Sequence, residues 1–184
     1  MAKIILGLAG EMASGKGTIS NYISGKYKGV SQRFSTILRD VLDRLYLDQS
    51  RENMQNISTC LRKAFGEDIL ANAMSEDVKK EKSEIVLIDG VRRLPDIKYL
   101  RELPEFKLIY VEVNMKTRYE RIIKRGENSD DSEKTYEEFV EDHKGEAELQ
   151  IKNLKKNADF VIDNSGAIND LYSQVDSIIS ECKN

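Results

Sequence analysis

Residues 3–18 read KIILGLAGEMASGKGT, and this stretch constrains the fold more than any other. Lys3 to Ala9 is an apolar run of strand length. Gly10 opens a glycine-bearing loop, and Gly15-Lys16-Gly17-Thr18 closes it into the start of a helix. The spacing Gly10-x4-Gly15-Lys16, between a strand and a helix, is that of a phosphate-binding loop. Glycine tolerates backbone angles that let successive N–H groups turn inward around phosphate oxygens. The helix that follows offers its positive end to the anion. Lys16 adds a full charge at the outer phosphates. The candidate cradle is therefore Gly10, Ala13, Ser14, Gly15, Lys16, Gly17 and Thr18.

The rest of the chain alternates strand-like and helix-like segments. Helices are expected over Thr18 to Lys26, Ser35 to Leu47, Glu52 to Phe65, Glu67 to Lys80, Asp96 to Arg101, Lys116 to Arg125, Thr135 to Lys156 and Ile168 to Ile179. Strands are expected over Val30 to Phe34, Glu84 to Asp89, Phe106 to Val113 and Asp159 to Asp163. Ile85-Val86-Leu87-Ile88 is continuously apolar rather than alternating, as in a parallel strand covered on both faces. The expected class is α/β: a five-stranded parallel sheet with helices on both faces. Ligands of such sheets lie beyond the carboxyl ends of the strands.

Composition sets outer limits. The 184 residues fit one domain able to bury a core without staples, and the net charge of -3 implies no field for nucleic acid or a membrane. Cys60 and Cys182 lie far apart and read as free thiols of a reducing cytosol, so a cytoplasmic location is expected. The N-terminus runs straight into the first strand, leaving no room for a signal peptide.

Further candidates sit where this topology collects ligands. Asp89 ends the apolar strand of IVLIDGVRR, where an acid can hold Mg²⁺ through water, with Thr18 on the other side. Arg92 and Arg93 follow, and either suits a second phosphate. Arg118, Arg121 and Arg125 are three and four residues apart and so share a helix face. Residues 127–148 carry ten acidic residues against Lys134 and Lys144. His143 lies in that stretch and reads as a solvated histidine.

These motifs carry a resemblance to a known group. GKGT, with glycine where Ser or Thr usually follows the lysine, resembles the loop of adenylate kinases and other nucleoside monophosphate kinases. IDGVRR resembles their aspartate-glycine-x-arginine stretch. RFSTILRDVL resembles their substrate-binding helix, and TRYERIIKRG the helix leading into their mobile lid. ADFVIDNSG resembles the segment that cradles the adenine there and in dephospho-CoA kinases. The chain as a whole is similar to small archaeal adenylate-kinase-related P-loop proteins.

The resemblance implies one P-loop kinase domain, with a substrate-binding helical segment over about 35–80 and a helical lid over about 126–147. It implies ATP and Mg²⁺ as cofactors and a small nucleotide as substrate, with neither nucleic acid nor membrane as partner. It implies Arg39 as the arginine of the acceptor phosphate, with Arg62, Arg92 and Arg93 nearby. Lys16, Arg92, Arg121 and Arg125 become the catalytic set, and Asn164 and Gly166 line the base. Three readings follow. The first is a nucleoside monophosphate kinase. The second is dephospho-CoA kinase, which needs a base after the second strand, where this chain has Gln32-Arg33-Phe34-Ser35. The third is an ATPase switch, which would use the loop and Asp89 without Arg39 or Arg92.

Overall fold

A computed structural model describes residues 4–125, 135–143 and 146–183. Five strands form one sheet: β1 (Ile4–Ala9), β2 (Val30–Arg33), β3 (Ile85–Asp89), β4 (Phe106–Glu112) and β5 (Phe160–Asp163). Their order is β2-β3-β1-β4-β5 and every pairing is parallel. The five-stranded parallel α/β sheet expected from the sequence is present.

Alternation along the strands splits the core in two. Ile5, Ala9, Val86, Ile88, Phe106, Leu108 and Tyr110 face one side. There they meet α2 (Phe34–Arg44), α4 (Ile69–Lys80) and α7 (Glu146–Leu154), with α3 (Arg51–Phe65) packed outside. Ile4, Leu6, Leu8, Ile85, Leu87, Ile109 and Val111 face the other side, against α1 (Lys16–Tyr27) and α8 (Ile168–Lys183). Both faces being covered is why these strands read as continuous apolar runs. Gly7 sits mid-strand under the Phe106 ring. A Cβ there would lie 2.9 Å from two ring carbons.

Tyr22 and Tyr172 stack with centroids 3.9 Å apart, and the Asp176 carboxylate accepts from the hydroxyls of Tyr22 and Tyr27 and from Lys26. This polar staple binds α8 to α1.

Several boundaries differ from expectation. The proposed helix over 96–101 is two short 3-10 turns, Leu94–Ile97 and Leu100–Glu102. Pro95 is the second residue of the first of them, and the Asp96 carboxylate accepts the Arg92 and Arg93 N–H groups that precede it. The long polar helix over 135–156 is interrupted. Thr135 and Glu138 form a capping box that starts α6 (Tyr136–Asp142), and α7 begins at Glu146. His143 is not solvated: it is 4% exposed. Its place is fixed by a contact with α5 (Met115–Arg125), described below. Cys60 is exposed and Cys182 half-buried, and both are free. No helix among the described residues is long and apolar enough to cross a membrane.

Candidate phosphate-binding site

β1 is the central strand, so the loop after it opens at the middle of the sheet's carboxyl edge. Two backbone positions require glycine there. Gly10 has φ +146, and a Cβ would meet the Val111 carbonyl at 2.5 Å. Gly15 has φ +99, and a Cβ would meet Asn164 Nδ2 at 2.1 Å. Ala13 also adopts positive φ, at 59°. Gly17 faces open space on the first turn of α1, and Thr18 is half-buried beside it.

Five consecutive loop carbonyls are held by donors. Lys16 Nζ donates to the Gly10 carbonyl at 2.6 Å and the Glu11 carbonyl at 3.0 Å, and reaches the buried Ser14 Oγ at 3.4 Å. Arg118 Nη1 reaches the Met12 carbonyl and Arg121 Nη1 the Ala13 carbonyl, each at 3.4 Å. Asn164 Nδ2 donates to the Ser14 carbonyl at 2.8 Å. With its carbonyls fixed in this way, the loop can present N–H groups to an anion. α1 itself has no side-chain cap and no acid in its first turn, in contrast to α3 and α6, which are capped by Ser50 and Thr135. The first N–H groups of a helix have no carbonyl partner within it and suit a phosphate.

Asn164 was expected to meet a base through its backbone. Its side chain is buried and spent on the loop, while its own carbonyl accepts from Arg121 Nη2 at 2.9 Å. Arg121 thus bridges the loop and the turn after β5. Gly166 lies in that turn, 3.1 Å from Asp170 at its would-be Cβ. Arg125 ends α5, but its side chain lies outside the described residues, as does half of the lid expected over 126–147.

On the other flank, β3 brings Asp89 level with Leu8 of β1 and Arg33 of β2. Arg33 Nε stands 3.5 Å from Asp89 Oδ2. Asp89 and the Thr18 hydroxyl are hard oxygen donors of the kind Mg²⁺ takes. The described residues hold no cluster of three or more metal-ligating side chains, so phosphate oxygens and water would have to complete any coordination. These donors fit a water-mediated Mg²⁺ and not a dedicated protein cage.

The arginines expected at an acceptor phosphate fall into two kinds. Arg62 donates to the Glu67 carbonyl at 2.6 Å and to Ser58 at 3.3 Å, and faces Asp96 at 3.5 Å. Arg93 pairs with Glu67 at 2.9 Å and faces Asp96 at 3.6 Å. Asp96 is 3% exposed, and burial pushes its carboxyl above the usual aspartate range despite the backbone N–H groups and arginines that oppose this. Arg39 bonds only Ser35 Oγ, at 2.9 Å, and the Arg92 side chain is exposed; neither pairs with a carboxylate among the described residues.

Sequence reasoning missed Glu11, Arg33, Asp96 and His143 as parts of this region, and placed Arg118 in an arginine row beside the phosphates. Arg118, grouped with Arg121 and Arg125 on one face, is instead only 1% exposed. Its Nη2 meets Glu11 Oε1 at 3.0 Å and its Nη1 lies 2.8 Å from His143 Nε2. These partners are more than twenty residues apart in sequence, so no local spacing announces them.

Comparison with known proteins agrees with this architecture. A family model described as an AAA domain matches residues 9–140. A UPF0200 protein of Staphylothermus marinus is 30% identical over 98% of this chain and 94% of its own length. One from Methanocaldococcus jannaschii is 29% identical over 98% and 91%. Among solved structures, a shikimate kinase from Bacteroides thetaiotaomicron superposes with a TM-score of 0.63 at 14% identity, covering 98% of this chain and 99% of that one. TT1252 from Thermus thermophilus gives 0.63 at 17%, covering 98% of each. With its glycine loop, parallel sheet and full-length archaeal relatives, the chain belongs to the AAA-domain family of P-loop kinase-like proteins, alongside the UPF0200 group.

Proposed function

We propose that this protein is an ATP-dependent phosphotransferase that moves the γ-phosphate of ATP to a nucleoside monophosphate. The observation that carries the reading is the division among the arginines. Arg62 and Arg93 are occupied by Glu67 and Asp96, whereas Arg39 and Arg92 make no ion pair among the described residues. Asp96 also fixes the main chain at Arg92 and Arg93 by accepting both of their N–H groups. Two such guanidinium groups suit a phosphate monoester, which each can bind bidentately.

In this mechanism the ATP phosphates lie in the loop of residues 10–18, with Lys16 moving from the loop carbonyls to the outer phosphates. Arg39 and Arg92 hold the acceptor phosphate. Its oxygen attacks the γ-phosphorus, the bond to the β–γ bridging oxygen breaks, and ADP leaves. No general base is needed, because a phosphate monoester is already ionised near neutral pH. Positioning and charge neutralisation supply the catalysis. Mg²⁺, when bound near Asp89 and Thr18, would neutralise phosphate charge. Asn164 and Gly166 border the base, and Arg121 and Arg125 flank the transferring group.

Arg33 argues against a hydroxyl acceptor such as dephospho-CoA. The residue ending β2 is a cation paired with Asp89, where that chemistry wants a base. A coupled assay offering a panel of nucleoside monophosphates beside dephospho-CoA tests the reading. ADP release dependent on a monophosphate, and lost in Arg39→Ala and Arg92→Ala, is the expected result. ATP hydrolysis indifferent to both substitutions and to every acceptor would instead identify an ATPase switch.

A further inference from the structure

Arg118 is a buried cation with no place in the mechanism above. It reaches from α5 to the loop residues Glu11 and Met12. Its guanidinium meets the Glu11 carboxylate at 3.0 Å, the Met12 carbonyl at 3.4 Å and His143 Nε2 at 2.8 Å, and packs over the Phe139 ring at 5.7 Å. Glu11 and Met12 are loop residues; His143 and Phe139 belong to α6 and its end. One side chain therefore ties the phosphate loop to an element more than one hundred residues later.

The hydrogen-bond pattern fixes the state of the histidine. Nδ1 lies 2.6 Å from the Phe139 carbonyl, which only accepts, so Nδ1 carries the proton. Arg118 only donates, so Nε2 is the bare, accepting nitrogen. The bond thus exists only while the imidazole is neutral. Protonation would set two cations 2.8 Å apart in a buried site. Among the described residues, the charged and titratable groups seen in contact with the pair or its partners are Arg118 and Tyr119 from α5, Glu11 from the loop and Lys152 from α7, whose Nζ is 3.7 Å from Glu11. Glu11 is the one anion among these described groups and is already shared by Arg118 and Lys152.

We propose that Arg118 is a positioning residue for nucleotide binding, holding Glu11 and Met12 in the phosphate-binding shape, and that a neutral His143 sets its grip. The proposal rests on the reading of the loop as a nucleotide site. Acidification releases Arg118 from His143, loosens the loop and weakens nucleotide affinity.

The test measures ADP affinity by calorimetry at about pH 8 and about pH 5.5 in the wild type, Arg118→Lys, His143→Gln and Lys16→Ala. ADP gains protons of its own over this range, so His143→Gln is the reference. Glutamine can accept from Arg118 but does not titrate. The wild type should lose about tenfold more affinity on acidification than His143→Gln, the worth of one charge-assisted hydrogen bond. Arg118→Lys, which cannot bridge three partners, should bind about tenfold more weakly at the higher pH. Should Arg118→Lys fail to fold, the comparison of wild type with His143→Gln decides alone. Equal acid losses in those two proteins overturn the proposal, as does full affinity in a folded Arg118→Lys. If Lys16→Ala binds ADP normally, the nucleotide reading fails; if only Lys16→Ala is impaired, that reading stands and the positioning role falls.

Discussion

Gly15→Ala tests how tightly the loop is locked to the end of β5. Two costs are legible in the geometry. At φ +99 an alanine is strained, by about 1–3 kcal/mol for a backbone of this kind. Its Cβ would also lie 2.1 Å from Asn164 Nδ2, well inside the 3.4 Å at which ordinary contact begins. Asn164 must then move and give up its 2.8 Å bond to the Ser14 carbonyl, which costs about 1–2 kcal/mol in a buried site. The sum is about 2–5 kcal/mol, a large share of the roughly 5–15 kcal/mol that holds a domain folded. Asn164→Ala loses the same bond by itself and removes the atom in the way. The double variant should therefore cost about 1–2 kcal/mol less than the two single variants together, since both discard one hydrogen bond. Urea unfolding of the four proteins, with slopes compared to confirm two-state behaviour, measures this directly. Additivity within about 0.5 kcal/mol would refute the argument that Gly15 is required because Asn164 occupies its Cβ position.

Three further outcomes are expected. Lys16→Ala should reduce phosphoryl transfer by roughly a hundredfold or more in the coupled assay while leaving the sheet intact by circular dichroism. Asp96 has a carboxyl raised by burial, so its contribution to stability is complete below the unfolded value of about 3.9 and is lost as pH rises through the folded value. In thermal melts across that window the advantage of the wild type over Asp96→Asn should shrink as pH increases. Asp176 is lowered in the folded state because Lys26, Tyr27 and Tyr22 donate to it, an effect that outweighs the larger single contribution of desolvation in the opposite direction. Its contribution is present above the unfolded value and fades as pH falls, so Asp176→Asn should destabilise by about 1 kcal/mol at neutral pH and by less in acid.

What could be read from the sequence was local. The strand, glycine loop and helix of residues 3–27 announce themselves because apolar run, turn and helix start lie within a few residues of each other. Asp89 was found because it ends an apolar strand next to that loop in a parallel sheet. The pairing of Arg33 with Asp89 required the register of β2 on β3, and that of Arg118 with His143 required the packing of α6 on α5; neither follows from spacing along one helix or strand. Burial also reversed the reading of His143, and it took Arg118 out of the expected arginine row into a buried ion pair. A polar run suggested solvent, yet the polar groups turn inward and satisfy one another. Arg62 and Arg93 looked equivalent to Arg39 and Arg92 because a sequence lists charges without their counterions.

The bare patch at Gly7 has a consequence for the lineage. Because the Phe106 ring fills the room a side chain at position 7 would take, neither site is at liberty to drift alone. A homologue that acquires alanine or valine at the first should carry a smaller residue at the second. The pair would then surface as a covarying couple in any sufficiently deep collection of descendants.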